Sequence, residues 1–122
     1  MSVYSGNGSS NYVVIVPQIQ NLNDGLEGGK NKDGGYDFSL FGIIGLQINV
    51  DGQGLSVSVT ILGVPIGTFR GNLVDGLTIS IDAWVVKGYL RFYLDDKDLW
   101  LNYNLKMLGA PVVDGNVELF HL

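Results

Sequence analysis

Apolar and polar side chains alternate with period two from residue 77 to residue 106, the pattern of β-strands with one face in water and one in a core. Leu77, Ile79, Ile81, Ala83 and Val85 take the inward parity of one strand, Leu90, Phe92 and Leu94 that of a second, and Leu99, Leu101, Tyr103 and Leu105 that of a third. Lys87-Gly88 offers a glycine where a two-residue hairpin turn needs positive φ, and the charged run Asp95-Asp96-Lys97-Asp98 reads as the next turn. These turns predict that Val86 pairs with Tyr89 and Leu94 with Leu99. A slip of one residue would send every side chain to the opposite face, so the agreement of pattern and turns supports the register.

In that register the water-facing side collects three cross-strand rows: Asp82, Tyr93 and Trp100; Trp84, Arg91 and Asn102; Val86, Tyr89 and Asn104. Cross-strand Cβ atoms lie roughly 4.5–5.5 Å apart, so Trp84 is expected to stack on the Arg91 guanidinium and Tyr93 to touch Trp100. Flat rings beside amides, a carboxylate and a guanidinium suit a sugar, the rings taking the apolar face of a pyranose and the polar groups its hydroxyls. Trp84, Arg91, Tyr93 and Trp100, with Asp82, Asn102 and Asn104 as polar contacts, therefore form the candidate ligand-binding site. Aromatic pairs also stiffen a bare sheet, or lie beneath a second sheet or a partner subunit.

The remaining segments extend the same architecture. A β-rich run at Tyr12-Val13-Val14-Ile15-Val16 predicts a first strand reaching about Ile19, after a small and polar flexible segment over 1–11. Residues 21–35 read as a long glycine-rich loop, in which Asp24, Glu27 and Asp33 lack the spacing of an EF-hand. Phe38 to Val50 is apolar on both faces in its first half and alternating in its second, as a central strand or a subunit contact would be. With a turn at Asp51-Gly52-Gln53-Gly54, Val50 meets Leu55, and Ile48, Leu46 and Ile44 meet Val57, Val59 and Ile61. Leu62 to Gly67 reads as a turn and Thr68 to Leu73 as a short strand. Val74-Asp75-Gly76 then works as a three-residue hairpin loop that puts Leu73 opposite Leu77. Asp114-Gly115-Asn116 reads as a turn between Val112-Val113 and Val117-Glu118-Leu119-Phe120. The unequal spacing of the three Val-Asp-Gly triplets, at Val50, Val74 and Val113, reads as turn chemistry and not as a repeat.

About eight strands joined by short hairpins predict a single-domain, all-β antiparallel meander over 12–122, either a small barrel or a two-sheet sandwich. Composition agrees: 122 residues suit one domain, and 18 Gly with 3 Pro and 46% hydrophobic residues describe a turn-rich globular chain. A net charge of −5 with scattered Lys and Arg argues against nucleic acid as a partner. The chain has no cysteine, so no disulfide or thiolate metal site is possible. It also has no apolar run of the ~18 residues a membrane helix needs, and membrane insertion is not expected. If Met1 is the native start, the absence of a secretory signal places the protein in the cytosol.

No catalytic constellation stands out. The single histidine, His121, lies next to the C-terminus, no Gly-x-Ser-x-Gly elbow occurs, and Asp95, Asp96 and Asp98 share a hairpin tip with Lys97. No cofactor or metal is expected. The leading expectation is thus a non-enzymatic, glycan-binding protein, and at the level of architecture alone the meander resembles small cytosolic lectins. The alternatives are a self-assembling homo-oligomer, using the aromatic face or the Phe38 to Leu46 run, and a barrel holding a small apolar ligand.

Overall fold

The computed structural model describes residues 25–122; the segment 1–11 and the strand expected at Tyr12 lie outside the described residues. Nine strands follow one another among the described residues: β1 (Leu26–Lys30), β2 (Tyr36–Leu40), β3 (Ile44–Asp51), β4 (Gly54–Ile61), β5 (Val64–Asn72), β6 (Leu77–Asp82), β7 (Val86–Asp95), β8 (Asp98–Met107) and β9 (Val112–His121). Each pairs antiparallel with its chain neighbour, except that β5 and β6 part. Strands β1 to β5 form one sheet and β6 to β9 another, giving an all-β sandwich that does not close into a barrel. The apolar-ligand reading loses the barrel it was built on.

The register expected for β3 and β4 holds throughout, from Val50 opposite Leu55 to Ile44 opposite Ile61. That for β7 and β8 holds from Leu94 opposite Leu99 outward. The turn expected at Lys87-Gly88 is not there. The chain reverses at residues 83–85, Asp82 pairs with Lys87, and Ile81 lies opposite Gly88. Val86 is thereby fully buried and Lys87 sent into water. The earlier turn also makes β7 as long as β8, so that Val86 to Asp95 pairs along its whole length with Asp98 to Met107. A strand starting at Tyr89 would leave the last residues of β8 without that partner.

Four other segments differ from expectation. Phe38 to Val50 is not one strand: it turns at residues 41–43, and Leu40 pairs with Ile44. A third of the expected loop 21–35 is β1, which zips onto β2 from Leu26 opposite Leu40 to Lys30 opposite Tyr36. The tight turn that follows is held by Asn31, whose side-chain oxygen accepts from the backbone N of Asp33 at 2.9 Å and of Gly35 at 3.0 Å. Strand β5 begins at Val64 rather than Thr68, with a register shift that leaves Ile66 unpaired. Asp114 to Asn116 is no turn either, since β9 pairs with β8 continuously from Val112 to Glu118 before a bulge at Leu119.

The Val74-Asp75-Gly76 loop closes as expected, with Gly76 at φ 78° and a lone bridge to Asn72. It does not make a hairpin. Beyond Gly71, against which the Leu77 side chain packs, the two strands separate into different sheets. A hairpin with Leu73 opposite Leu77 is therefore corrected to a crossing between the layers. The inner faces interleave Leu40, Ile44, Ile48, Val57, Leu90, Phe92, Leu101 and Leu105, all fully buried, and among the described residues no polar or charged residue is buried with them.

The two sheets are pinned together at one end. Tyr36, at the start of β2, stacks on Phe120, near the end of β9, with centroids 3.6 Å apart. On the other flank Gly76 lies against the backbone of Phe92, and Leu73 N donates to Gln53 O at 2.9 Å. The β1–β2, β3–β4, β5–β6 and β7–β8 connections therefore share this end. The β2–β3, β4–β5, β6–β7 and β8–β9 turns share the other.

Candidate functional site

The outward residues of β6 to β9 form a face of four rows. Tyr93 is followed by Trp100 and Glu118, and Thr78 by Arg91, Asn102 and Asn116. Then come Ser80, Tyr89, Asn104 and Asp114, and last Asp82, Lys87, Lys106 and Val112. Five of the expected site residues, Arg91, Tyr93, Trp100, Asn102 and Asn104, are thus brought together on β7 and β8.

Their side chains are organised. The Arg91 guanidinium carbon lies 4.9 Å from the Tyr93 ring centroid, within cation–π range. Tyr93 Oη donates to Asn116 Oδ1 at 2.7 Å. Because Tyr93 is on β7 and Asn116 on β9, the phenol reaches over β8 between Trp100 and Asn102. Asn102 Nδ2 donates to the Gly115 carbonyl at 3.3 Å. Among the described residues the Asn104 amide and the Trp100 indole N–H have no side-chain partner, so both can bond a ligand.

Trp84 and Asp82 are not part of this cluster. The register change moves Trp84 into the β6–β7 turn, 81% exposed and off the sheet face, so the expected stack on Arg91 does not form. Arg91 stacks on its same-strand neighbour Tyr93 instead, and its partner on β6 is Thr78. Asp82, expected beside Tyr93, is at the far end of the sheet in an ion pair with Lys87 at 2.5 Å. That hydrogen bond, and then the ammonium charge, hold the Asp82 carboxyl below its ordinary value. Any stability this brings is present above the ordinary carboxylate range and is lost as the pH falls through the lowered value. Since the pair is exposed, molar salt should return the Asp82 titration, followed by NMR, toward that of a free carboxylate. A titration indifferent to salt would show that something other than Lys87 sets it.

Asn116, Glu118 and Asp114 are the members of the face that sequence reasoning missed. Their signal was the alternation Val113, Gly115, Val117 against Asp114, Asn116, Glu118, overridden by the turn-forming Asp-Gly-Asn. Glu27 and Asp33 are at opposite ends of the β1–β2 hairpin, and Asp24 lies outside the described residues. Among the described residues no group of three or more His, Cys, Asp or Glu could hold a metal ion. His121 Nδ1 meets Asp98 Oδ1 at 2.7 Å, and among the described residues no hydroxyl completes a relay with them.

The opposite outer face, on β1 to β5, is chemically different. It presents Asp37, Gln47, Asn49, Ser56, Ser58 and Thr68, with Ser58 and Thr68 hydroxyls bonded at 2.8 Å, and among the described residues carries no aromatic ring. No known family model, curated protein or solved structure matches the chain. Fold and face together define a two-sheet antiparallel sandwich with an aromatic and amide platform on its four-stranded side.

Proposed function

We propose that this protein is a non-enzymatic carbohydrate-binding protein whose site is the outer face of β7, β8 and β9. The observation that carries the reading is the asymmetry between the two outer faces. Rings that only stiffened sheets would serve either layer, yet Tyr89, Tyr93 and Trp100 are all on one, interleaved with Arg91, Asn102, Asn104 and Asn116. A pyranose laid on Trp100 and Tyr93 would meet amide donors and acceptors within hydrogen-bonding reach, as the stacked-ring geometry of sugar recognition requires. The Tyr93 to Asn116 bond holds the phenol in place before a ligand arrives, which lowers the ordering cost of binding.

The test is titration of the glycans that bind wild-type protein into three variants. Asn104→Ala and Trp100→Ala should weaken binding roughly tenfold or more, the equivalent of one lost hydrogen bond to a sugar or one lost stacking surface. Trp84→Ala should leave it unchanged. Retained affinity in folded Asn104→Ala and Trp100→Ala would overturn the assignment.

A second reading, a homo-oligomer, is supported by the ten residues of β9 at a sheet edge, where nothing among the described residues pairs beyond it. Its expected contact through Phe38 to Leu46 is less favoured, because Phe38, Leu40, Ile44 and Leu46 are buried in the sandwich core. A monomer at micromolar concentration in light scattering would contradict this reading.

A further inference from the structure

The two ends of the sandwich differ as sharply as its two faces. At the pinned end the connections carry Asp33, Asp75 and Asp96 with Lys32 and Lys97, and Asp51, Asp95 and Asp98 stand at the adjoining strand ends. At the other end the four turns read Phe41-Gly42-Ile43, Leu62-Gly63-Val64, Ala83-Trp84-Val85 and Leu108-Gly109-Ala110-Pro111, without one charged residue. Of the exposed large apolar side chains among the described residues, Leu62, Val64, Ile66, Trp84, Leu108 and Val112 are here, against Val74 and Leu122 at the pinned end and Tyr89 on the sheet face. Such clustering in a small domain marks a contact surface rather than ordinary surface scatter.

Backbone chemistry points the same way. Phe41 at φ 56° and Leu62 at φ 52° occupy the left-handed region, which bulky residues rarely adopt and where Gly, Asn or Asp would be easier. The Asp95 to Asp98 turn uses Asp96 for that purpose, at φ 60°. Leu62, 61% exposed, is thus held at its tip against local preference, whereas the Phe41 ring packs edge-on against Tyr103 of the core, centroids 5.7 Å apart. The tips are also tied to one another, Leu62 N donating to Ile43 O at 2.8 Å and Leu108 N to Val85 O at 2.9 Å. Just behind them the Asp82–Lys87 ion pair and the Lys106 ammonium, bonded to the Met107 and Ala110 carbonyls, form a polar belt.

We propose that this end docks on a zwitterionic phospholipid bilayer, with the turn tips in the headgroup and acyl boundary. Trp at a tip with aliphatic neighbours is the composition of that boundary, and a polar belt behind it matches the headgroup layer. The acidic residues at the opposite end keep away from the surface, and the net charge of −5 selects against anionic lipid. Gly25, the first described residue, is at this same end, its carbonyl accepting from Phe41 N at 2.7 Å. Among the described residues no helix is long and apolar enough to cross a membrane. The inference does not depend on the sugar site, which lies on the side of the sandwich.

The experiment uses phosphatidylcholine vesicles and the full chain. In Trp100→Phe the only tryptophan is Trp84, and its emission should shift to the blue and be quenched by lipids brominated on the acyl chains. In a sedimentation assay on otherwise native protein, Trp84→Ala should lower vesicle partitioning roughly tenfold, the value of one aromatic side chain removed from water. Phosphatidylserine in the vesicles should weaken binding. Absence of cosedimentation with an unshifted Trp84 emission overturns the proposal. So does an emission already blue in buffer and unchanged by lipid, which would mean that residues 1–24 or a second copy cover the tips; light scattering tells those two apart.

Discussion

Gly88→Ala is expected to lower the melting temperature by roughly 15 °C, from about 3 kcal/mol of lost stability in a domain of this size. Gly88 lies inside β7, not in a turn, at φ 141°, a conformation that L side chains rarely adopt. A Cβ there would stand 1.9 Å from the Asn104 carbonyl oxygen and 3.0 Å from Leu105 Cα, both backbone atoms of the central strand β8. Neither can swing away as a side chain would, so the methyl forces β7 off β8 in the middle of the four-stranded sheet. Gly29→Ala is the matched control, because a Cβ at that position meets nothing within 4 Å. Thermal unfolding should separate the two variants plainly. Equal melting temperatures would mean that the β7–β8 pairing at Gly88 is not as described.

Phe120→Ala should cost about 4 kcal/mol, read as a lower urea midpoint with an unchanged slope. Phe120 is 9% exposed and stacks across the sandwich on Tyr36, the planes 1° apart, with Phe38 next in line at 6.4 Å. So direct a stack gains little from ring quadrupoles, which favour an offset; the area removed from water dominates. Phe120→Leu, which keeps most of that area, should accordingly recover most of the loss. Were Phe120→Leu as damaging as Phe120→Ala, ring stacking rather than burial would be what joins the sheets here.

Phe120 also shows where sequence reading stops. Alternation continued from Val117 points Leu119 inward, but the bulge at Leu119 resets the parity and sends Phe120 to the core. Bulges leave no period-two signal, and neither does a choice between two competent turns. Lys87-Gly88 has the right glycine with positive φ, yet the chain turns at residues 83–85, because only that turn buries Val86 and pairs β7 along all of β8. Asp-Gly-Asn at 114–116 is likewise overruled by nine residues of pairing with β8. Where one face is strongly apolar and the turn unambiguous, as in β3 and β4, the register was readable residue by residue. The site inherits this division: the β7–β8 half of the aromatic face was legible, while Trp84 and Asp82 moved with the turn and Asn116 arrived with β9.

The two proposed surfaces separate cleanly by mutation. Trp84 belongs to the apolar tips and Trp100 to the sheet face, so each tryptophan reports on one surface and serves as a control for the other.

The most direct measurement is a glycan array probed with wild-type protein, Asn104→Ala and Trp84→Ala at matched high concentration. Sugar recognition by the β7–β9 face predicts a defined set of glycans bound by wild type and by Trp84→Ala and lost by Asn104→Ala. Silence of the folded wild-type protein across the array, or signals that Asn104→Ala retains, would contradict it.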